Sequence, residues 1–331
     1  MRVSPFRRRS AVSFAALFLA ATSLLGYSNC DFRVEAYERV CKKAVAEGVS
    51  VDYANRYLLD PQTKPRDFKS LERFSPKMLS LHHANEKRAN NALVAFVPEI
   101  LRNLKRYRPV YDEAEKRYGV NREVIAAILA KETRLGRIGF DHDAFTVFNT
   151  LLRELPADTA RNKSLVAMAE RNIVSLMRFC FENGIAPAQC RFPSSYAGAV
   201  GIPQFMPQNF SLIESAGKGP GNLARMEDAI LSTARFLHDN AGFDAPIDWK
   251  KMPDMAKVEQ AWYDFDYVTP NASFAHKHGR NGRTYRCYAC GKTELAYAAG
   301  YVKKIMRYNN SSHYAVGVLR LAYDAHFAAR P

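Results

Sequence analysis

The sequence predicts a mainly α protein with irregular loops. Apolar residues recur at three- and four-residue steps along much of the chain, and strand-like alternation is almost absent. One stretch, Val124 to Ala130, is apolar on every side of its predicted helix, the mark of a helix buried in a core.

Taken in order, the chain opens on Arg2, Arg7, Arg8 and Arg9, followed by an apolar run from Ala11 to Gly26 and small residues at Gly26 and Ser28. This is the layout of a secretory signal over residues 1–28, and it implies export to the periplasm. Cys30 is not expected to carry a lipid, because Tyr27-Ser28-Asn29 is not the small-residue run that attachment needs. Residues 29–84 read as a helical extension. Val34, Tyr37, Val40, Cys41 and Ala44 place one or two short helices in 31–60, whereas the polar stretch 61–75 with Pro61 and Pro65 reads as a loop. From Pro76 to Tyr118 a strong helical stretch is predicted, with Pro98 at a helix start or kink. Asn121 is a suitable N-cap for the helix ending at Glu132, and Glu123 suits its first turn. Further helices are predicted at 167–182, 226–240 and 314–327, with loops at 135–165, 191–225 and 268–295. Residues 85–331 read as one domain, in which 271–292 looks like an insertion.

Six cysteines in an exported chain suggest disulfides between neighbours: Cys30–Cys41, Cys180–Cys190 and Cys287–Cys290. The last pair also has the spacing of a redox pair, or of half a zinc site completed by His276 and His278. Against these stand the lack of a second Cys-x-x-Cys and of a strand-then-helix redox pattern. The formal charge is +15, and removal of the four signal arginines leaves 44 basic residues against 33 acidic, or +11. A basic exported protein suits a polyanionic partner such as an anionic membrane or an acidic cell wall. The scattered basic residues carry no nucleic-acid-binding motif, so no nucleic-acid partner is expected.

Glu132 is the first candidate for chemistry. A carboxyl at the end of an apolar helix loses hydration, and the negative helix terminus also opposes its charge. Both effects favour a general acid near neutral pH. Taken alone, such a residue could equally be a surface glutamate pairing with Lys131 or Arg134. Three blocks change its standing: Lys131-Glu-Thr-Arg-Leu-Gly-Arg137, then Ser195-Tyr-Ala-Gly-Ala-Val-Gly-Ile-Pro-Gln-Phe-Met-Pro207, then Arg307-Tyr-Asn-Asn-Ser311 with Tyr314-Ala315.

In this order and spacing the blocks resemble the lytic murein transglycosylase B family, over roughly residues 85–331. The resemblance implies a lysozyme-like helical core and cleavage of peptidoglycan between N-acetylmuramic acid and N-acetylglucosamine. Glu132 would be the single acid/base and the products 1,6-anhydromuramyl sugars. Ser195 would position the N-acetyl group, Gln204 and Phe205 would line the glycan groove, and Tyr308 and Asn309 would close the site. Gly198 and Gly201 allow close backbone approach, and Gln204 offers paired donor and acceptor groups for sugars. The chain departs from the family's Pro-Arg-Arg segment, leaving Arg161 as the candidate basic contact. It departs again at residues 214–222, which lack the regularly spaced carboxylates of the calcium loop some members carry. No metal, calcium or cofactor is expected. The expected partner is the glycan strand, with a wall-remodelling or secretion complex as a further possibility. The rivals are a muramidase using Asp141 or Asp143 as a second carboxylate, and a non-catalytic cell-wall scaffold.

Overall fold

The computed structural model describes residues 26–60, 65–264, 276–278, 284–286 and 293–329. Helices α1 (Glu35–Ala46) and α2 (Val51–Leu59) occupy the expected region. The Cys30–Cys41 disulfide ties the segment before α1 to that helix. The loop expected at 61–75 contains a short helix, α3 (Phe68–Arg73), whose N-terminus is capped by Asp67 accepting from the Ser70 amide at 2.8 Å. Three prolines then divide the long helical stretch. Each stands in the first turn of a helix, where its missing N–H costs nothing: Pro76 in α4 (Pro76–Val94), Pro98 in α5 (Val97–Arg106) and Pro109 in α6 (Arg108–Tyr118).

Helix α7 (Arg122–Thr133) is the buried helix of the sequence, with Val124 to Ala130 fully enclosed. Its expected cap is absent. Asn121 makes no capping bond, and its amide instead pairs with the backbone of Ile247, with Oδ1 accepting at 2.5 Å. Two-residue strands β1 (His142–Asp143) and β2 (Pro193–Ser194) pair antiparallel, setting His142 opposite Ser194.

The loop expected at 135–165 is largely helical. It holds α8 (Ala144–Glu154) and the start of α9 (Ala160–Glu182), capped by Asp143 and Thr159 respectively. Helix α8 is buried on most of its surface and rich in aromatic and β-branched residues, which favour helix only weakly. Disulfide Cys180–Cys190 fastens the end of α9 to the chain that follows. Then come α10 (Met226–Ala241), α11 (Met255–Asp264), the hairpin strands β3 (His276–His278) and β4 (Thr284–Arg286), α12 (Thr293–Ile305) and α13 (Ser312–Ala328). Of these, α11 and α12 had no sequence expectation. Cys287 and Cys290 lie outside the described residues.

The buried side chains form two clusters. One gathers α5–α7 and α10–α13 around the core helix α7. The other joins α1 and α2 to α8, α9 and the loop around Val200 and Phe205. The N-terminal helices therefore share a core with downstream elements: the Tyr37 hydroxyl donates 2.7 Å to Asn149 Oδ1 on α8. The expected boundary between residues 84 and 85 falls inside α4. No helix among the described residues is long and apolar enough to cross a membrane.

Candidate active site

A groove of about 630 Å³ opens where the two clusters meet, and Glu132 stands in it on the last turn of α7. The turn is unusual. Arg134 and Leu135 both adopt positive φ (50° and 59°) before Gly136 at 79°. Such non-glycine residues are costly unless the surroundings hold them. Thr133, fully buried, does so by donating 2.9 Å to the Ile202 carbonyl and accepting 3.0 Å from the Gly136 amide. The end of the core helix is thus locked to the glycine-rich loop.

That loop is shaped by close approach. A Cβ on Gly198 would lie 2.4 Å from Phe148 Cζ, and one on Gly201 would lie 2.3 Å from Leu223 Cβ. Gln204 sits at φ 54°, with Nε2 donating to the carbonyls of Gly201 (2.9 Å) and Ala199 (3.4 Å). Its amide donors hold the loop, and its acceptor end is what it can offer the groove. Ser195, Gln204, Tyr308 and Asn309 all line the same groove as Glu132.

Two expected contacts lie elsewhere. Phe205 is 2% exposed and packs against Phe236 and Tyr308, so it supports the groove from behind. The backbone pairing of Val200 with Phe205 turns the aromatic ring inward. Arg161 donates to the Phe74 carbonyl at the C-terminus of α3. It does not line the groove.

The structure adds residues that the sequence did not single out. The Tyr314 hydroxyl donates 2.6 Å to Glu132 Oε1. Tyr196, exposed on the rim, presents a flat face, and α3 holds its backbone because Ser70 Oγ donates to the Tyr196 carbonyl. Tyr314 had been visible as part of the third block. Tyr196 sat inside the second, where nothing distinguishes a rim aromatic from a core one.

Burial raises the Glu132 carboxyl from its ordinary 4.5 to about 7, and the Glu86 carboxylate pushes the same way. The Tyr314 hydrogen bond and the Lys131 charge only partly oppose this. Tyr314 and Tyr308 are held well above 10 by burial and by the Glu132 charge, so both remain hydroxyl donors. Tyr308 spends its donor on the Pro203 carbonyl.

Among nearby carboxylates, Asp143 is committed to capping. Its Oδ1 accepts from the Thr146 amide (2.9 Å) and hydroxyl (3.0 Å), and its Oδ2 from the Phe192 amide (3.3 Å). Asp141 is exposed and lines the groove. At 214–222, buried Asp228 accepts from the amides of Ala216 (2.8 Å) and Asn222 (2.7 Å), and Glu214 pairs with Arg117 and Arg235. Those carboxylates are occupied by protein donors. Among the described residues no cluster of three or more His, Cys, Asp or Glu side chains is arranged to hold a metal ion.

A helical core with a cleft of this kind is lysozyme-like. The sequence profile described as Transglycosylase SLT domain matches residues 33–323. Solved structures share the fold. The soluble lytic transglycosylase SltB1 from Pseudomonas aeruginosa superposes with a TM-score of 0.60 at 19% identity, over 89% of this chain and 99% of its own. The Escherichia coli lytic transglycosylase SLT35, solved in complex with calcium, gives 0.57 at 20% identity over 91% and 96%. SltB3 from Pseudomonas aeruginosa, in complex with NAG-NAM-pentapeptide, gives 0.56 at 18% identity over 87% and 78%. No curated protein sequence matches. The chain belongs to the transglycosylase SLT family and is a peptidoglycan lytic transglycosylase.

Proposed function

We propose that this enzyme cleaves the β-1,4 bond between N-acetylmuramic acid and N-acetylglucosamine with Glu132 as its single acid/base, releasing 1,6-anhydromuramyl products. The observation that carries this is the dehydrated Glu132 carboxyl, lifted to about 7 and held by the Tyr314 hydroxyl in a groove of about 630 Å³. In its neutral form Glu132 protonates the glycosidic oxygen as the bond to C1 breaks. The substrate's acetamido oxygen supports the resulting cationic centre. Glu132, now a carboxylate, takes the proton from the C6 hydroxyl, and that oxygen closes on C1. Water is not consumed, and the acid is returned to its starting form. Hydrolysing enzymes with two carboxylates divide these duties between them.

Ser195, Gln204 and Asn309 are positioned to hold sugar substituents, with Tyr196 as a stacking face. Arg161 and Phe205 act in support, by closing α3 and by backing the groove. The relative SltB3 is also solved with NAG-anhNAM-pentapeptide, which supports anhydro-sugar chemistry on this fold. We further propose export to the periplasm, with residues 1–28 as the signal. The two disulfides fit that oxidising compartment. Residues 29–84 would be a helical extension of the catalytic domain at 85–331, with 271–292 inserted into it.

Mass spectrometry of products from purified sacculi tests the reaction. Anhydro products without added water are expected from the wild type, and none from Glu132→Gln. Products heavier by one water per cut would replace this reading with a muramidase using Asp141. No soluble product would point to a cell-wall scaffold.

A further inference from the structure

Lys131 precedes Glu132 on α7, and the proposed reaction does not use it, yet its side chain is only 5% exposed. Its ammonium lies 3.0 Å from Glu86 Oε2 on α4, which is 7% exposed, and donates to Asn90 Oδ1 one turn further along that helix. A third side of the ammonium faces the Tyr314 ring, 5.1 Å from its centroid. Asn90 Nδ2 donates 2.8 Å to the carbonyl of His313, the residue before Tyr314. Gly317, one turn along α13, makes room for this: a Cβ there would lie 2.3 Å from Asn90 Cγ. A helix interior disfavours glycine, so the close approach accounts for its presence.

A buried ion pair is a weak stabiliser, because dehydration offsets most of the attraction. What this pair does have is reach. It touches the ring of Tyr314 from one side and, through Asn90, the backbone just before it. We propose that Lys131, Glu86 and Asn90 form a positioning clamp that fixes Tyr314 on Glu132 and balances the charge beside the acid. The inference rests on Glu132 being the acid/base. A cation on the ring face also strengthens the phenol as a donor. The charged and titratable groups facing Glu132 are Lys131 from its own helix, Glu86 from α4, Tyr314 from α13 and Tyr308 from the turn before it; Asp141 and His142 line the same groove.

The test is the pH dependence of anhydro-product formation by the full chain acting on purified glycan strands. A general acid loses activity as pH rises through its titration. Lys131→Met removes the cation beside the acid, so it should move that basic limb upward by roughly 0.5–1 pH unit, and Glu86→Gln should move it downward. The double variant should restore the limb while kcat stays low. For Lys131→Met, kcat should fall on the order of tenfold with KM changed less than about twofold. A merely structural pair would lower activity and leave both limbs in place, and that result overturns the clamp, as would shifts in the same direction. Should Lys131→Met fail to fold, Glu86→Gln decides alone: a downward limb supports the clamp and an unmoved limb rejects it. A wild-type enzyme that releases no product rejects the acid reading, and the clamp with it; product from wild type with unmoved limbs rejects the clamp only.

Discussion

The Tyr314 hydroxyl and Glu132 Oε1 are 2.6 Å apart although 182 residues separate them in the chain. The bond joins the end of the buried helix α7 to the start of α13, so two segments far apart in the chain meet at one proton. The phenol stays protonated and so keeps a proton to donate here, since its own ionisation is pushed well above 10. It therefore stabilises the carboxylate form of Glu132, the form that the proposed reaction leaves after its first proton transfer.

Replacing Glu132 by Gln should lower kcat by at least about a hundred- to ten-thousand-fold, because the same group serves twice. Glycan binding should be largely kept. Calorimetric titration with a soluble glycan fragment, beside product release, checks both halves. A variant retaining a tenth of wild-type kcat would remove Glu132 from the mechanism.

The same substitution has a pH-dependent effect on stability. The folded Glu132 holds its proton up to about 7 whereas the unfolded chain releases it near 4.5, so the native state binds the extra proton between those values. Stability from this group is therefore greatest below 4.5 and declines as pH rises to 7. The full difference is worth roughly 3 kcal/mol at most. Urea unfolding should find Glu132→Gln more stable than wild type at pH 8 and equal to it near pH 4. A constant gap across that range would contradict the dehydrated carboxyl.

Tyr314→Phe removes one donor and leaves the ring. We expect kcat to fall roughly ten- to a hundredfold, in the range seen when one preorganised donor to a developing anion is lost. The basic limb of the rate profile should move upward, since the removed bond had favoured the carboxylate. Equal rates for the two proteins across pH would deny Tyr314 its role.

Gly317→Ala should destabilise the protein, against the usual helix preference for alanine of about 1 kcal/mol. The new methyl collides with the Asn90 amide, which also carries the bond to His313. Thermal melting should show a lower Tm, and product assays a reduced kcat. A stabilised variant would mean that α4 gives way easily.

Reducing the Cys180–Cys190 bridge should cost about 2–3 kcal/mol for a loop of this length. Unfolding of a Cys180→Ser/Cys190→Ser protein beside the wild type, both in oxidising buffer, measures it. An unchanged midpoint would leave the bridge without a role in stability.

The part of this architecture readable from residues alone was the part with local causes. The all-apolar run Val124–Ala130 announced α7, and glycines at 198 and 201 announced a tight loop. Helix α8 escaped, because its aromatic and β-branched residues favour helix only weakly. Asn121 looked like a cap and was taken by Ile247, a partner 126 residues away. Phe205 and Arg161 carried family expectations of the groove, but tertiary packing gave one to the core and the other to the end of α3. Lys131 and Glu86 could not be paired from sequence, since nothing local links α4 to α7.

Tyr308 packs against both hydrophobic clusters while lining the groove between them. A seam bridged by one ring behaves as a stiff joint: any motion that widens the trench must shear two close-packed interiors together. A substitution at Tyr308 would therefore be felt in both interiors as well as in the groove.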